Sequence, residues 1–160
     1  MLTAQKFIQS FQTTTWLINQ QAEGLTHEQM LLQLPFRGNC FNWILGHIVT
    51  NRDKVLVLLG EEPFFDEAEV TRYERGSDPV DGVETAVHSQ RLLESVQYSQ
   101  SKIEEALGKI GPEALAEIYS EEHNLTVAGR IDGLHWHETY HVGQLEILRQ
   151  LAGTNDCIVG

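Results

Sequence analysis

Three histidines have the type and spacing to do chemistry: His47, His137 and His141. An α-helix turns about 100° per residue, so the two histidines four apart share one helical face. Gln144 and Leu148, with Arg130 and Gly133, continue that stripe within about 40° of His137. Leu134, Leu145, Leu151 and Ala152 flank it, so both imidazoles project from an apolar, core-facing side. A neutral imidazole is costly there unless its ring nitrogens are satisfied. Two lone pairs aimed at one point suit a metal ion, and a hydrogen-bonded structural pair is the alternative. His47 lies in NWILGHIVTNRD, on a stripe with Cys40, Trp43, Ile44, Asn51 and Leu58. A third imidazole from a facing helix completes a three-nitrogen set with an open position, the arrangement of catalytic rather than closed structural sites.

Three neutral ligands leave a divalent charge uncompensated and favour an anionic fourth ligand: hydroxide, a thiolate or a substrate carboxylate. The ion would act as a Lewis acid and lower the pKa of a bound water or thiol. Imidazoles suit zinc, nickel, iron and copper alike. Zinc or nickel is the expectation here, with iron as the alternative. Asn51, one turn after His47, and Gln144, one turn after His141, are expected to orient the bound group. Glu138, about 80° from the stripe centre, is placed at the rim as a candidate proton acceptor. Arg130 and Lys54 follow the ligand stripes and are candidates for an anionic substrate, or else ordinary surface residues. His135, about 160° from His137, is assigned to the solvent face. His27, His88 and His123 have no comparable context. Cys40, about 10 Å from His47 by helical rise, is read as a core residue and not a nucleophile.

The run His137-Glu138-Thr139-Tyr140-His141 also matches the H-E-x-x-H zinc-protease motif. An extended form would need Gly and His where this chain has Gln144 and Ile147, and no upstream strand system offers a peptide-binding edge. The protease reading is set aside.

The elements that must position these residues read as helical nearly throughout. Ala4, Phe7, Ile8, Phe11 and Ile18 define a first helix to about residue 21. Thr26 and Gln29 form a capping box that opens a short turn closed by Pro35. A second long helix runs from about Asn39 to Leu59, with Gly60 as its C-cap. Residues 61–82 show no period. A connection that long suggests a crossover, with the helices on either side running the same way. Leu92, Val96, Ile103, Ala106 and Ile110 mark a third long helix, ended by Gly111-Pro112. Thr126 caps a fourth that extends to Ala152, stopped by Gly153. The expected fold is an all-α, single-domain four-helix bundle, with no strand.

The 160 residues suit one domain, and 41% of them are apolar. Two cysteines without C-x-x-C pairing do not make a disulfide framework. The N-terminal MLTAQKFIQSFQ does not read as a signal peptide, and the longest apolar run, VLVLL, is far below a membrane span. A cytoplasmic protein is the expectation. A formal charge of −12, with Lys and Arg scattered among the acids, gives no basic surface for nucleic acid. The second helix is apolar nearly all round: Leu45, Val49 and Leu56, flanked by Phe41, Ile48 and Leu59, lie opposite the ligand stripe. Such a helix must be covered on both sides, and a homodimer is the favoured cover, the 61–82 connection the alternative.

NWILGHIVTNRD followed some ninety residues later by HETYHVGQLEILRQLAG resembles the DinB-like superfamily over the whole chain. The resemblance implies a four-helix bundle with metal ligands at His47, His137 and His141, and Gln144 in the adjoining motif position. It further implies a reaction of mixed kind, including S-transfer or isomerisation with a low-molecular-weight thiol as co-substrate. The leading expectation is a metal-dependent enzyme that activates a small thiol or water on a small-molecule substrate. The alternative is a non-catalytic, metal-binding or stress-associated structural protein.

Overall fold

In the computed structural model, which describes residues 2–159, four long helices carry the architecture. They are α1 (Ala4–Ala22), α2 (Phe41–Leu58), α4 (Ser89–Lys109) and α6 (Val127–Leu151). Two short helices, α3 (Glu67–Tyr73) and α5 (Pro112–Ala116), lie in the connections, as does a 3-10 turn at Gln29–Leu31. A small antiparallel hairpin, β1 (Ile118–Ser120) with β2 (Leu125–Thr126), precedes α6.

Both α1 and α2 pack against α4 and α6, so α1 and α2 sit diagonally across the bundle. Two core clusters fix the helix directions. One gathers Phe7 and Phe11, Val55 and Leu56, Ile103 and Leu107, and Ala128 and Ile131. The other gathers Ile18 and Ala22, Phe41 and Ile44, Leu92 and Val96, and Val142 and Leu145. Thus α1 and α6 start at the first end, whereas α2 and α4 start at the second. The parallel α2 and α4 require the expected crossover between them.

The caps follow the sequence. Thr26 and Gln29 exchange side-chain-to-backbone bonds of 2.8 and 3.2 Å. Thr126 accepts from the Gly129 amide at 3.1 Å and opens α6. Gly60 closes α2 at φ +80°, a conformation that costs glycine little.

Three expectations need correction. The connection after α2 is not irregular throughout: Asp66 and Glu69 form a capping box that starts α3. Two helical turns with one buried residue, Tyr73, are too short to show a period. The absence of strands also fails, because β1 and β2 are too brief to alternate. Finally, the apolar back of α2 is covered within the chain. Every residue from Phe41 to Asp53 is buried, and Phe65, Tyr73 and Val80 of the connection join the cluster around it. The Asp53 carboxylate accepts from the Phe64 and Phe65 amides, each at 3.0 Å, and ties the connection down. Arg72 spends its guanidinium on the carbonyls of Asp78, Pro79 and Thr85. That face therefore gives no reason for a dimer. No helix among the described residues is long and apolar enough to cross a membrane.

Candidate metal centre

α2 and α6 pack directly against each other, and their contact brings the three histidines together. One ligand atom from each of His47, His137 and His141 lies within 4.8 Å of the others. Two of the rings are oriented by their surroundings. His47 Nδ1 donates to the Tyr73 carbonyl at 2.6 Å, since a carbonyl can only accept. This leaves the Nε2 lone pair free to face the cluster. The Trp43 indole stacks on the same imidazole, with centroids 4.8 Å apart and planes at 16°. His141 Nδ1 donates to Gln144 Oε1 at 2.7 Å, which likewise leaves Nε2 as an acceptor. Outer partners of this kind fix tautomer and ring orientation at histidine metal sites.

Tyr73, at the end of α3, approaches α2 over Gly46. A Cβ at residue 46 would lie 2.3 Å from Tyr73 Cδ1, so only glycine permits the contact. The phenol donates to Asn42 at 2.7 Å and accepts from the Val87 amide at 2.9 Å, anchoring the carbonyl that holds His47.

His137 is the incomplete member. Its Nδ1 is buried without a hydrogen-bond partner among the described residues. Its Nε2 stands 3.2 Å from Nε2 of His141. Two nitrogens each 2.0–2.1 Å from a tetrahedral ion lie about 3.3 Å apart, so this pair stands at the separation a divalent cation asks for, with the His47 nitrogen within 4.8 Å of both. Burial is the main reason that all three imidazoles resist protonation. It holds His47 and His137 below the ordinary value and His141 at about 4, and Lys54 adds to the lowering at His47 and His137. Neutral imidazoles are the metal-binding form.

The cluster opens on a cavity of about 490 Å³. Trp43, Ile44, Tyr140, Gln144, Ile147 and Leu148 contribute to its walls, together with residues of the segment Leu34–Asn39 and Arg75. Gln144 is thus brought into the site as a partner of His141.

Asn51 is not. Its amide nitrogen donates to the His47 carbonyl at 2.7 Å and its oxygen accepts from Lys54 at 3.2 Å, so it serves α2 and lies outside the cavity walls. Glu138 is not a rim residue either. It is 1% exposed, and Arg52 bonds it through Nε at 2.9 Å and Nη2 at 2.6 Å. The buried stripe of α6 runs through Ile131, Leu134, Glu138, His141, Leu145 and Leu148, so Glu138 is its centre and His137 its edge. His135 is half-buried, edge-on to Phe11 with centroids 5.0 Å apart, and takes no part in the cluster. Lys54 and Arg130 line a separate hollow with Val57, Leu58 and Tyr119. Cys40 is buried at the start of α2, where burial raises its thiol pKa, as befits a core residue.

Sequence reasoning missed Tyr73 and Arg52, and it placed Trp43 on the stripe of His47 without giving it a role. Arg52 lies three and four residues from Val49 and Ile48 and from Val55 and Leu56, on the buried stripe of α2, and a charge at that position signalled a buried partner.

Neither a protein-family model nor a curated protein matches this chain. Its fold is similar to the crystal structure of a conserved protein of Enterococcus faecalis, with a TM-score of 0.74 over 96% of this chain and 99% of that one. At 16% identity the likeness shows the fold, an all-α bundle.

Proposed function

We propose that this protein is a metal-dependent enzyme of the DinB-like type, holding zinc or nickel at His47, His137 and His141 and activating a small thiol or water against a substrate in the adjoining cavity. The observation that carries this reading is the convergence of three imidazoles at the wall of an open cavity, two of them held by hydrogen bonds and the third with an unmet buried nitrogen. The bound ion would supply Lewis acidity at the cavity wall.

The chain's own residues do the rest. Tyr73 and Gln144 hold the His47 and His141 tautomers by accepting their Nδ1 protons. Trp43 fixes the plane of His47, and with Ile44 and Leu148 excludes water from one side of the centre. Glu138 is committed to Arg52, and among the described residues no Asp or Glu lines the cavity to act as a base. This favours a nucleophile that arrives as an acidic small molecule, such as a thiol, over one that needs a protein base. The same lack is what a non-catalytic metal protein would show, and that is the second reading.

The test is metal content followed by ligand exchange. His47→Ala, His137→Ala and His141→Ala should each lose metal by elemental analysis, whereas His135→Ala should retain it. In the cobalt-substituted protein a low-molecular-weight thiol should produce a thiolate-to-metal charge-transfer band. Binding of azide but of no thiol would favour water as the nucleophile. Failure of every added ligand to reach the metal would leave the non-catalytic reading.

A further inference from the structure

The metal cavity differs in charge from the rest of the molecule. The chain contains twenty-three acidic residues against eleven Lys and Arg, yet none of the described residues lining this cavity is Asp or Glu. Two arginines line it instead, Arg37 from the segment before α2 and Arg75 from the segment after α3.

These two stand apart from the other arginines. Arg52, Arg91 and Arg149 are each ion-paired with a carboxylate. Arg72 is saturated by three carbonyls, and Arg130 lies over the Tyr119 ring. Arg37 and Arg75 have neither an ion pair nor a side-chain hydrogen bond among the described residues, although acids are abundant. Two separate connections thus deliver two unspent guanidinium groups to one cavity. Both connections are tied down: Arg72 clamps the segment that carries Arg75, and Gln33, four residues before Arg37, bonds the Val80 carbonyl at 2.7 Å.

Away from the histidines, Gln144 and Asn39, the walls are largely apolar and partly open to solvent. Phe36 is 66% exposed, and Tyr140 and Ile147 are each 57% exposed; all three line this cavity. Large apolar side chains grouped at one opening mark a binding surface. A guanidinium is a planar donor fork matched to a carboxylate.

We infer that Arg37 and Arg75 form an anion subsite beside the histidine centre, and that the substrate is an organic acid whose carboxylate they hold while its apolar body lies against Phe36, Tyr140 and Ile147. The inference rests on the proposed function for the site's chemistry, but the subsite itself exists with or without a metal ion.

The metal-stripped protein therefore isolates it. Binding of 4-phenylbutyrate is compared with that of 4-phenylbutyramide, the neutral isostere, by calorimetry or chemical-shift titration. Both arginines are exposed, so the acid should bind about tenfold more tightly than the amide, as expected for a pair of solvent-screened charge-assisted contacts. Arg37→Gln and Arg75→Gln should each lower the preference severalfold, and the double variant should abolish it. Lys109→Gln removes the same charge at the far end of α4 and should leave the preference intact. Equal binding of acid and amide, or a preference untouched in the double variant, overturns the subsite. So does a preference that appears only after metal is added and ignores both arginines, while that outcome supports the metal site. Failure of the protein to take up metal sinks the proposed function alone.

Discussion

Arg52 follows His47 by five residues on α2, and Glu138 directly follows His137 on α6, so the same two helices build two polar clusters side by side. In the first, every nitrogen of the Arg52 guanidinium is engaged. Besides Glu138 it bonds the Val96 carbonyl at 3.1 Å and the hydroxyls of Ser99 at 3.4 Å and Thr15 at 2.9 Å. Thr14 also donates to Glu138. Neither charged side chain is more than 2% exposed. In the second cluster the lone pairs converge on one point, one ring nitrogen has no partner, and a cavity opens beside it. A buried polar group is affordable when its hydrogen bonds close on themselves. The first cluster has closed, and it holds α1, α2, α4 and α6 together. The second has not, and an open valence in a cavity wall is what a binding site requires.

The largest effect should come from opening the closed cluster. Removing one partner of a buried pair leaves an uncompensated charge and costs about 3–5 kcal/mol. Arg52→Ala and Glu138→Ala should each lose stability on that scale in urea unfolding, at equal metal content of the folded fraction. An Arg52→Met, Glu138→Leu double variant should be less destabilised than either single one. If Glu138→Ala lost metal while keeping its stability, Glu138 would belong to the metal centre and the contrast would collapse.

Next in size is Gly46→Ala. The added methyl must displace the Tyr73 ring, an overpacking that costs about 1–3 kcal/mol. Because the Tyr73 carbonyl orients His47, metal affinity should fall as well. Unchanged metal affinity at reduced stability would mean that Tyr73 serves packing only.

The contrast also explains what the sequence could disclose. Long helices, their caps and the parallel crossover follow from periodicity and punctuation that extend over many residues. The histidine set was legible for the same reason, since i and i+4 positions share a face whatever the tertiary structure. Glu138 was misjudged because the helix was centred on His137. The spacing Ile131, Leu134, Leu145 and Leu148 already centres the buried face one residue later, and Arg52, on the stripe of Ile48, Val49, Val55 and Leu56 in α2, gives the opposite charge. Tyr73 was invisible for another reason. It reaches His47 through a backbone carbonyl, which carries no residue type, from a helix two turns long. The apolar back of α2 was read correctly as needing cover, but sequence pattern alone does not say whether the cover comes from the same chain.

A smaller effect is expected at Gln144. Its hydrogen bond raises the proton affinity of His141 against the lowering by burial, and ligand basicity rises in the same direction. Gln144→Leu should therefore weaken metal binding about 10–100-fold with little change in fold. The accompanying pH dependence has a definite sign. His141 binds its proton only near pH 4 when folded, but near 6.5 when unfolded. Metal-free stability should be complete above pH 6.5 and fall as the pH drops from there towards 4. Metal retention should fail over the same acid range. Retention that weakened above pH 7 would argue against neutral buried imidazoles.

The smallest effect, and the sharpest test of the contrast, is His137→Ala in metal-free protein. This ring is only half-buried, and its Nδ1 already lacks a partner. Truncating it removes some packing but also relieves a desolvated, unpaired nitrogen, so the two changes oppose each other. Stability without metal should shift by no more than about 0.5–1 kcal/mol. With metal the outcome reverses. An ion present at a hundred times its dissociation constant stabilises the folded wild type by about 2.7 kcal/mol, and the variant should gain almost none of this. Arg52→Ala should behave in the opposite way, costing the same with and without metal because its bonds close within the protein. Paired unfolding curves for both variants, with chelator and with excess zinc, read the difference directly. A large metal-independent loss in His137→Ala would make the histidine cluster a second structural network, no different in kind from its neighbour.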